Sequence, residues 1–111
     1  MAGKFEIYND KASEFRFRLK AGNGQTILTS EGYAAKSGCT NGVNSVKSNA
    51  TDDARYERKQ TASGKYIFNL KSTNGQVIGT SESYETAAAR DNGIESVKTN
   101  ASTADVIDLT N

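Results

Sequence analysis

Two short polar segments contain residue types that could bind or react with a small molecule. Each runs Ser-Glu-x-Tyr, with Glu31 and Tyr33 in the first and Glu82 and Tyr84 in the second, 51 positions later. Two such clusters placed around a symmetry axis could hold one small polar ligand. The same residues also suit helix entry, where a hydroxyl accepts from free N–H groups and a carboxylate complements the helix dipole. We favour helix entry and keep the ligand site as the alternative.

A basic stripe is the second group of residues that could bind a ligand. Three alternate residues form it: Arg16, Arg18 and Lys20. With Tyr8 beside it, this strand face could follow a phosphate backbone and stack on a base. The competing interpretation is a solvated strand face that is neutralised by ion pairs, for example with Glu6 or Glu14. We favour the ion-paired face.

The amino-acid composition excludes several catalytic and metal-binding chemistries. The 111 residues contain no His and a single Cys, Cys39. Ser-His-Asp and Cys-His arrangements, His-ligated metals, cysteine zinc sites and an intramolecular disulfide are therefore impossible. Any catalysis would depend on Ser, Tyr, Lys and carboxylates alone, so we predict a non-enzymatic protein with no catalytic residue, cofactor or metal. Cys39 lies on an apolar helical face, which predicts a buried side chain.

Charge and hydropathy give no general reason for binding to nucleic acid or membranes. The chain has 14 basic and 13 acidic residues, a net charge of +1, and no segment approaches the roughly 18 apolar residues of a membrane span. The first residues lack the apolar run of a signal peptide. We therefore expect a cytoplasmic protein without membrane contact.

The chain is an internal duplication. A shift of 51 positions superimposes residues 5–50 on residues 56–101 without a gap, and roughly 40% of the aligned residues are identical. The identical positions include the Asn-Gly-Gln and Thr-Ser-Glu segments and the Asn-Gly pairs at Gly42 and Gly93. Each half must therefore fold into the same arrangement of elements.

Each half first alternates apolar and polar residues and then changes to helical spacing. Phe15, Phe17 and Leu19 alternate with basic residues, as in a half-buried strand, and the Asn-Gly pairs at Gly24 and Gly75 suit hairpin turns. Apolar residues at helical spacing follow Tyr33 and Tyr84. Each half is thus predicted to fold as β-β-β-α. Gly42 and Gly93 fall in mid-helix, which predicts close approach of the helix to the sheet or to the other helix; a helix break at Asn-Gly is the alternative. Asn49 and Asn100 are plausible C-terminal caps.

The two halves are predicted to share one fold of the α+β class. One unit is close to the lower size limit for independent stability, so we expect one pseudo-two-fold domain with a single antiparallel-rich sheet and two helices on one face. The predicted boundaries are 1–111 for the domain, 5–50 and 56–101 for the repeats, 51–55 for the linker and 102–111 for a tail. Residues 107–109 occupy the offset of the first strand, so the tail could pair with a sheet edge.

This sequence resembles the YegP-like family of small bacterial proteins of uncharacterised function. The resemblance rests on the strand at residues 15–20, the Asn-Gly-Gln turns, the Ser-Glu-x-Tyr segments and residues 92–98. It implies tandem β3-α repeats in one sheet, with the helices exchanged between the repeats. It implies no activity and assigns no catalytic residue.

The function expected from these observations is that of a small non-enzymatic interaction or binding module. The alternative is weak binding of nucleic acid or another anionic ligand through the basic stripe. We expect a monomer with pseudo-dimeric internal symmetry, and a protein partner is possible.

Overall fold

The computed structural model describes residues 3–110, and the two halves of this chain contain the same series of elements. The first half comprises β1 (Lys4–Asn9), β2 (Phe15–Lys20), β3 (Thr26–Thr29) and α1 (Lys36–Asn49). The second comprises β4 (Tyr56–Gln60), β5 (Tyr66–Lys71), β6 (Val77–Thr80) and α2 (Ala87–Asn100), and β7 (Asp105–Asp108) follows. Short 3₁₀ turns at Asp53–Arg55 and Ala101–Thr103 follow the two helices. The predicted β-β-β-α repeat is confirmed in both halves.

The strands form one seven-stranded sheet in the order β4-β5-β6-β3-β2-β1-β7. Every pairing is antiparallel except that of β1 with β7. The halves meet where β3 pairs with β6, and the only residues in register there are Thr29 and Thr80. These two threonines correspond under the 51-residue shift, so the pseudo-two-fold axis passes between them.

Both helices cover the same face of the sheet, and each reaches across the axis. Helix α1 packs on β2 of its own repeat and on β5 and β6 of the other, while α2 packs on β5 and on β3. The single core between helices and sheet contains the fully buried Phe17, Leu19, Phe68 and Leu70. This arrangement confirms the α+β class and the helix exchange that the family resemblance implied.

The mid-helix glycines lie against aromatic rings of the sheet. A Cβ on Gly42 would lie 2.6 Å from Tyr33 Oη and 2.9 Å from Phe17 Cε2. A Cβ on Gly93 would lie 2.8 Å from Tyr84 Cζ and 3.2 Å from Phe68 Cε2. Since carbon atoms pack at about 3.5–4.0 Å, the predicted close approach is confirmed, and its partner is the sheet rather than the other helix.

Of the predictions made for two asparagine-containing motifs, the one for the Asn-Gly turns is confirmed and the one for the helix caps is wrong. In the turns after β2 and β5, Gly24 and Gly75 have φ of +89° and +85°, as the hairpin interpretation requires. By contrast, Asn49 and Asn100 are not C-terminal caps. Both are the last residues of their helices, and each side-chain amide donates 2.8 Å back to a carbonyl oxygen four residues earlier.

The tail adds a strand to the sheet. Strand β7 pairs in parallel with β1, from Lys4 opposite Asp105 to Ile7 opposite Asp108. The boundaries assigned to the repeats, linker and tail stay predictions, and residues 1, 2 and 111 of those ranges lie outside the described residues. Within residues 3–110, no helix has the length and apolar character needed to cross a membrane.

Candidate functional site

An open groove on the helix-free face of the sheet crosses the pseudo-two-fold axis. We call it the axial groove, and its volume is about 500 Å³. Its lining is rich in hydroxyls and carboxylates from both repeats: Arg16, Thr29, Ser30, Glu31, Val77, Gly79, Thr80, Ser81, Glu82 and Ser83. The two Ser-Glu segments therefore meet in one place, as the ligand-site alternative requires.

Ser30 and Ser81 hold the chain in place where it leaves β3 and β6. Ser30 Oγ accepts from the N–H of Phe17 at 2.9 Å and donates to the carbonyl oxygen of Glu31 at 2.8 Å. Ser81 Oγ makes the same two bonds, accepting from Phe68 and donating to the carbonyl oxygen of Glu82. Both hydroxyls are thus engaged with backbone, and their segments hold Glu31 and Glu82 at matching positions about the axis.

The favoured interpretation, that these two segments cap the helices, is wrong. Helix α1 begins at Lys36, five residues beyond Glu31, and has no side-chain cap at Ala35. Helix α2 is capped by Thr86, whose hydroxyl accepts from the N–H of Ala89 at 3.0 Å. Neither Ser-Glu segment reaches a helix N-terminus, because the chain first continues beside the neighbouring strand, where Tyr33 and Tyr84 pair with Phe15 and Tyr66.

The two groove carboxylates are exposed and available to a ligand. Neither Glu31 nor Glu82 forms an ion pair with a Lys or Arg of residues 3–110. Arg16 borders the groove, but its Nε donates to Asp10 at 2.6 Å and its Nη1 to the Ser30 carbonyl oxygen at 3.0 Å. The groove therefore presents hydrogen-bond acceptors with net negative charge.

The tyrosines of the two segments lie outside the axial groove. Tyr33 stacks on Phe17 with ring centroids 6.5 Å apart. Tyr84 lines a neighbouring cavity of about 460 Å³, which it shares with Glu82. Each tyrosine exchanges two backbone hydrogen bonds with the start of the central strand of its repeat, at Phe15 and Tyr66. Burial, with a smaller effect from the neighbouring glutamate, raises the pKa of both phenols. Their contacts are those of packing residues.

The basic stripe is partly neutralised by two carboxylates, Glu6 and Asp10. Arg18 Nε donates to Glu6 Oε1 at 2.8 Å, and Lys20 Nζ lies 3.4 Å from the same oxygen. The Arg18 guanidinium also lies over the Tyr8 ring, 4.4 Å from its centroid. The Arg18 hydrogen bond, with help from Lys20, holds the pKa of Glu6 below its usual range although burial opposes this.

The sequence identified only part of these ion pairs. Glu6 is a partner of the stripe as expected, whereas Arg16 pairs with Asp10 and not with Glu14. The Arg16 hydrogen bond lowers the pKa of Asp10. The pairing depends on the loop before β2, where the Asp10 carboxylate also accepts from the N–H groups of Ala12 and Glu14. An Asx turn of this kind has a sequence signal, the Asp at the end of a strand.

Sequence reasoning missed the threonines and the valine of the groove. Thr29 and Thr80 stand on the axis, and Val77 is one of the exposed large apolar residues of the described chain. The two threonines were detectable, since they precede the two Ser-Glu segments in an identical Thr-Ser-Glu run. Val77 had no such signal because its counterpart is Thr26.

Two further observations concern reactive groups. Cys39 is fully buried, and this burial raises the pKa of its thiol to about 11. Within residues 3–110, no three His, Cys, Asp or Glu side chains are grouped so that they could hold a metal ion.

Comparison with known proteins places this architecture among proteins of similar length. The sequence model described as "Domain of unknown function (DUF1508)" matches twice, at residues 10–57 and 62–108. The chain is 66% identical over 111 residues to a UPF0339 protein from the ptx operon 5′ region of Stutzerimonas stutzeri, covering all of both chains. It is 50% identical over 110 residues to the UPF0339 protein YegP of Escherichia coli K12, covering 99% of this chain and 100% of that one.

Two solution NMR structures match the fold. That of E. coli YegP, a protein of unknown function, aligns with a TM-score of 0.94 at 50% identity and covers 99% of this chain and 95% of that one. That of a UPF0339 protein from Shewanella oneidensis aligns with a TM-score of 0.93 at 49% identity, covering 99% and 93%.

Proposed function

The chain belongs to the DUF1508 family, whose function is uncharacterised, and we propose that it is a small non-enzymatic binding module with its ligand site in the axial groove. One observation carries the proposal: Glu31 and Glu82, one from each repeat, line the same groove without an ion-pair partner among residues 3–110. Polar groups that converge in a concave site are typical of ligand recognition.

The groove chemistry favours a small ligand with positively charged groups. Two carboxylates accept hydrogen bonds from ammonium or guanidinium donors, and such charge-assisted bonds are about twice as strong as neutral ones. Because Glu31 and Glu82 are related by the pseudo-two-fold axis, a ligand with two amino groups joined by a short apolar chain matches them best. Val77 offers an apolar contact for that chain.

The hydrogen bonds of Ser30 and Ser81 favour binding over catalysis in the groove. The hydroxyls of Ser30 and Ser81 each accept from a backbone N–H and donate to a backbone carbonyl, so neither donates to a carboxylate. A nucleophilic serine needs an adjacent general base. The tyrosines lie outside the groove, and their raised pKa values disfavour phenolate formation.

The experiment is an NMR titration of the ¹⁵N-labelled protein with 1,4-diaminobutane, followed at constant ionic strength. We expect shifts of the amides around Glu31 and Glu82, and loss of these shifts in the Glu31→Gln/Glu82→Gln variant. Glu85→Gln is the matched control, since Glu85 is exposed and lies outside the groove. Shifts spread over all acidic surfaces, or unchanged in the double variant, would refute the groove as the site, as would no shift at about 10 mM, well beyond the millimolar limit of weak binding.

The alternative function, binding of nucleic acid or another anion through the basic stripe, has less support. Glu6 and Asp10 already accept hydrogen bonds from Arg18 Nε and Arg16 Nε, which reduces the positive charge that the stripe presents to a phosphate. A cytoplasmic location also remains part of the proposal and is tested by fractionation of cells that express the protein. Because both repeats contribute to one core, a single chain is sufficient for the fold.

A further inference from the structure

Strand β7 gives the sheet an edge with exposed apolar side chains between two aspartates. Val106, Ile107 and Leu109 are 45%, 41% and 50% exposed, and with Val77 they are the exposed large apolar residues of the described chain. All four residues of β7 are exposed. An exposed apolar edge strand is a site for pairing with another strand.

The backbone of β7 has hydrogen-bonding groups directed away from the sheet. The N–H of Leu109 donates to the carbonyl oxygen of Ile7 at 2.8 Å, so Leu109 faces β1. Because successive residues of a strand face opposite sides, Ile107 also faces β1, whereas Val106 and Asp108 direct their N–H and C=O groups outward. Within residues 3–110, β7 pairs with β1 alone.

The opposite edge of the sheet is protected. Strand β4 ends with the exposed residues Arg58, Lys59 and Gln60. Charged side chains, lysine above all, discourage strand addition at an edge. The β4 edge thus ends in basic and polar side chains, whereas the β7 edge presents Val106 and Ile107 between two aspartates.

We propose that the β7 edges of two copies of this chain pair antiparallel about a two-fold axis at Ile107. In this register Val106 of each copy lies opposite Asp108 of the other, and the pair exchanges both outward N–H and C=O bonds. The two Ile107 side chains meet on the helix-free face, where a non-hydrogen-bonded pair brings side chains closest. The contact joins two seven-stranded sheets into one.

Charge favours this register over the one with its axis at Asp108. An axis at Asp108 would set two carboxylates directly opposite each other, which is destabilising. With the axis at Ile107, Asp108 keeps its own Lys36, 2.7 Å away, and the two Asp105 residues lie about 13 Å apart along the strands. That separation exceeds the Debye length of about 8 Å at physiological salt.

A dimer in which two β7 edges pair also accounts for both sheet edges better than an assembly in which β7 of one copy pairs with β4 of the next. Pairing of β7 with β4 of another copy would bring the β7 aspartates beside Arg58 and Lys59, but it would leave the two Ile107 side chains apart. It would also leave a free edge at each end, so that association would continue without limit. Since a four-residue strand buries less than the roughly 800 Å² per partner of a standard interface, the pair is weak and reversible.

Sedimentation equilibrium and NMR between about 20 μM and 1 mM test the proposal within the affinity range of weak complexes. We expect a monomer–dimer equilibrium, with shifts confined to β7, that is weakened at least tenfold by Ile107→Lys. Val77→Lys is the matched control, since Val77 is exposed and apolar but lies in the axial groove. Monomer alone up to 1 mM, species that grow beyond the dimer, or equal association of the Ile107→Lys variant would overturn the proposal.

Disulfide cross-linking with oxidised glutathione tests the register. Ile107→Cys places two thiols opposite each other and should give a covalent dimer. Asp105→Cys should cross-link at least tenfold more slowly, because residue 105 lies opposite residue 109. Both variants retain Cys39, which is buried. Equal cross-linking of the two variants, or none with Ile107→Cys, would refute the register.

Discussion

Substitution of Gly42 by Ala tests the fit between helix α1 and the sheet. The new Cβ would lie 2.6 Å from Tyr33 Oη and 2.9 Å from Phe17 Cε2. Contacts of about 3.5 Å require shifts of roughly 0.6–0.9 Å, and Phe17 is fully buried. Overpacking of this kind costs about 1–3 kcal/mol, while Ala in a helix interior gains about 1 kcal/mol over Gly. The expected net loss of stability is about 1 kcal/mol.

Thermal unfolding of four variants measures this effect. A loss of about 1 kcal/mol lowers the Tm of a domain of this size by about 4 °C. Gly38→Ala is the control on the same helix, because its Cβ would lie 3.3 Å from Tyr33 Cδ1 and meet no other residue as closely, and we expect no loss there. Tyr33→Phe removes the atom nearest the new methyl, so the Gly42→Ala penalty should fall by at least 0.5 kcal/mol in that background. A higher Tm for Gly42→Ala, or a penalty unchanged by Tyr33→Phe, would refute the close-packing argument.

Four other predictions concern charge, reactivity, cooperativity and nucleic acid. Because the folded-state pKa of Glu6 is lowered, its stabilisation is complete above the unfolded pKa of about 4.3 and is lost as the pH falls through the folded pKa. Glu6→Gln should thus lower the stability by about 1–2 kcal/mol at pH 7 and by much less near pH 2 in urea titrations, and equal losses at both pH values would contradict the ion-pair account. The Cys39 thiol, with a pKa of about 11, should not react with Ellman's reagent at pH 8 until urea unfolds the protein, whereas rapid labelling of the native state would show that it is accessible. A fragment ending at Asp52 loses the cover that α2 gives β3, so it should dimerise or remain largely unfolded by circular dichroism and light scattering; cooperative melting as a dilute monomer would be inconsistent with a shared core. The intact protein should bind labelled single- and double-stranded oligonucleotides no more tightly than about 10⁻⁶ M at 0.15 M salt, the usual non-specific range, and anisotropy titrations that give tighter binding would revive the basic stripe as a site.

The elements of the fold were predictable because their signals are local. Alternation in residues 15–20 and the helical spacing after Tyr33 each report which face of one element is buried. Positive φ at Gly24 follows from the short loop between two strands. The duplication then assigns the same elements to the second half. The crossing of the helices was implied only by the family resemblance, since no local pattern states which repeat a helix covers.

The contacts that determine the roles of polar residues were not predictable. Ser30 has the residue type of a helix cap, yet its hydroxyl binds the N–H of Phe17 on a neighbouring strand. Asn49 suits a C-terminal cap, but its amide returns to Ser45 inside the helix. In both cases one side chain has several satisfactory partners, and the choice depends on the tertiary position of the backbone. The turn formed by Asp10 had a sequence signal, but its pairing with Arg16 depends on where that turn places the carboxylate.

The short connection at Asp53–Arg55 governs how the two repeats find each other. Each helix covers strands of the other repeat, so the contacts that complete one chain would equally complete a complex of repeats from two chains. A tether of a few residues gives the correct encounter an effective concentration in the millimolar range. Exchange of repeats between chains, or domain swapping, therefore becomes competitive only when the protein itself approaches that concentration while unfolded. A longer tether would lower the protein concentration at which domain swapping becomes competitive. The short connection therefore protects the chain against swapped assembly during synthesis.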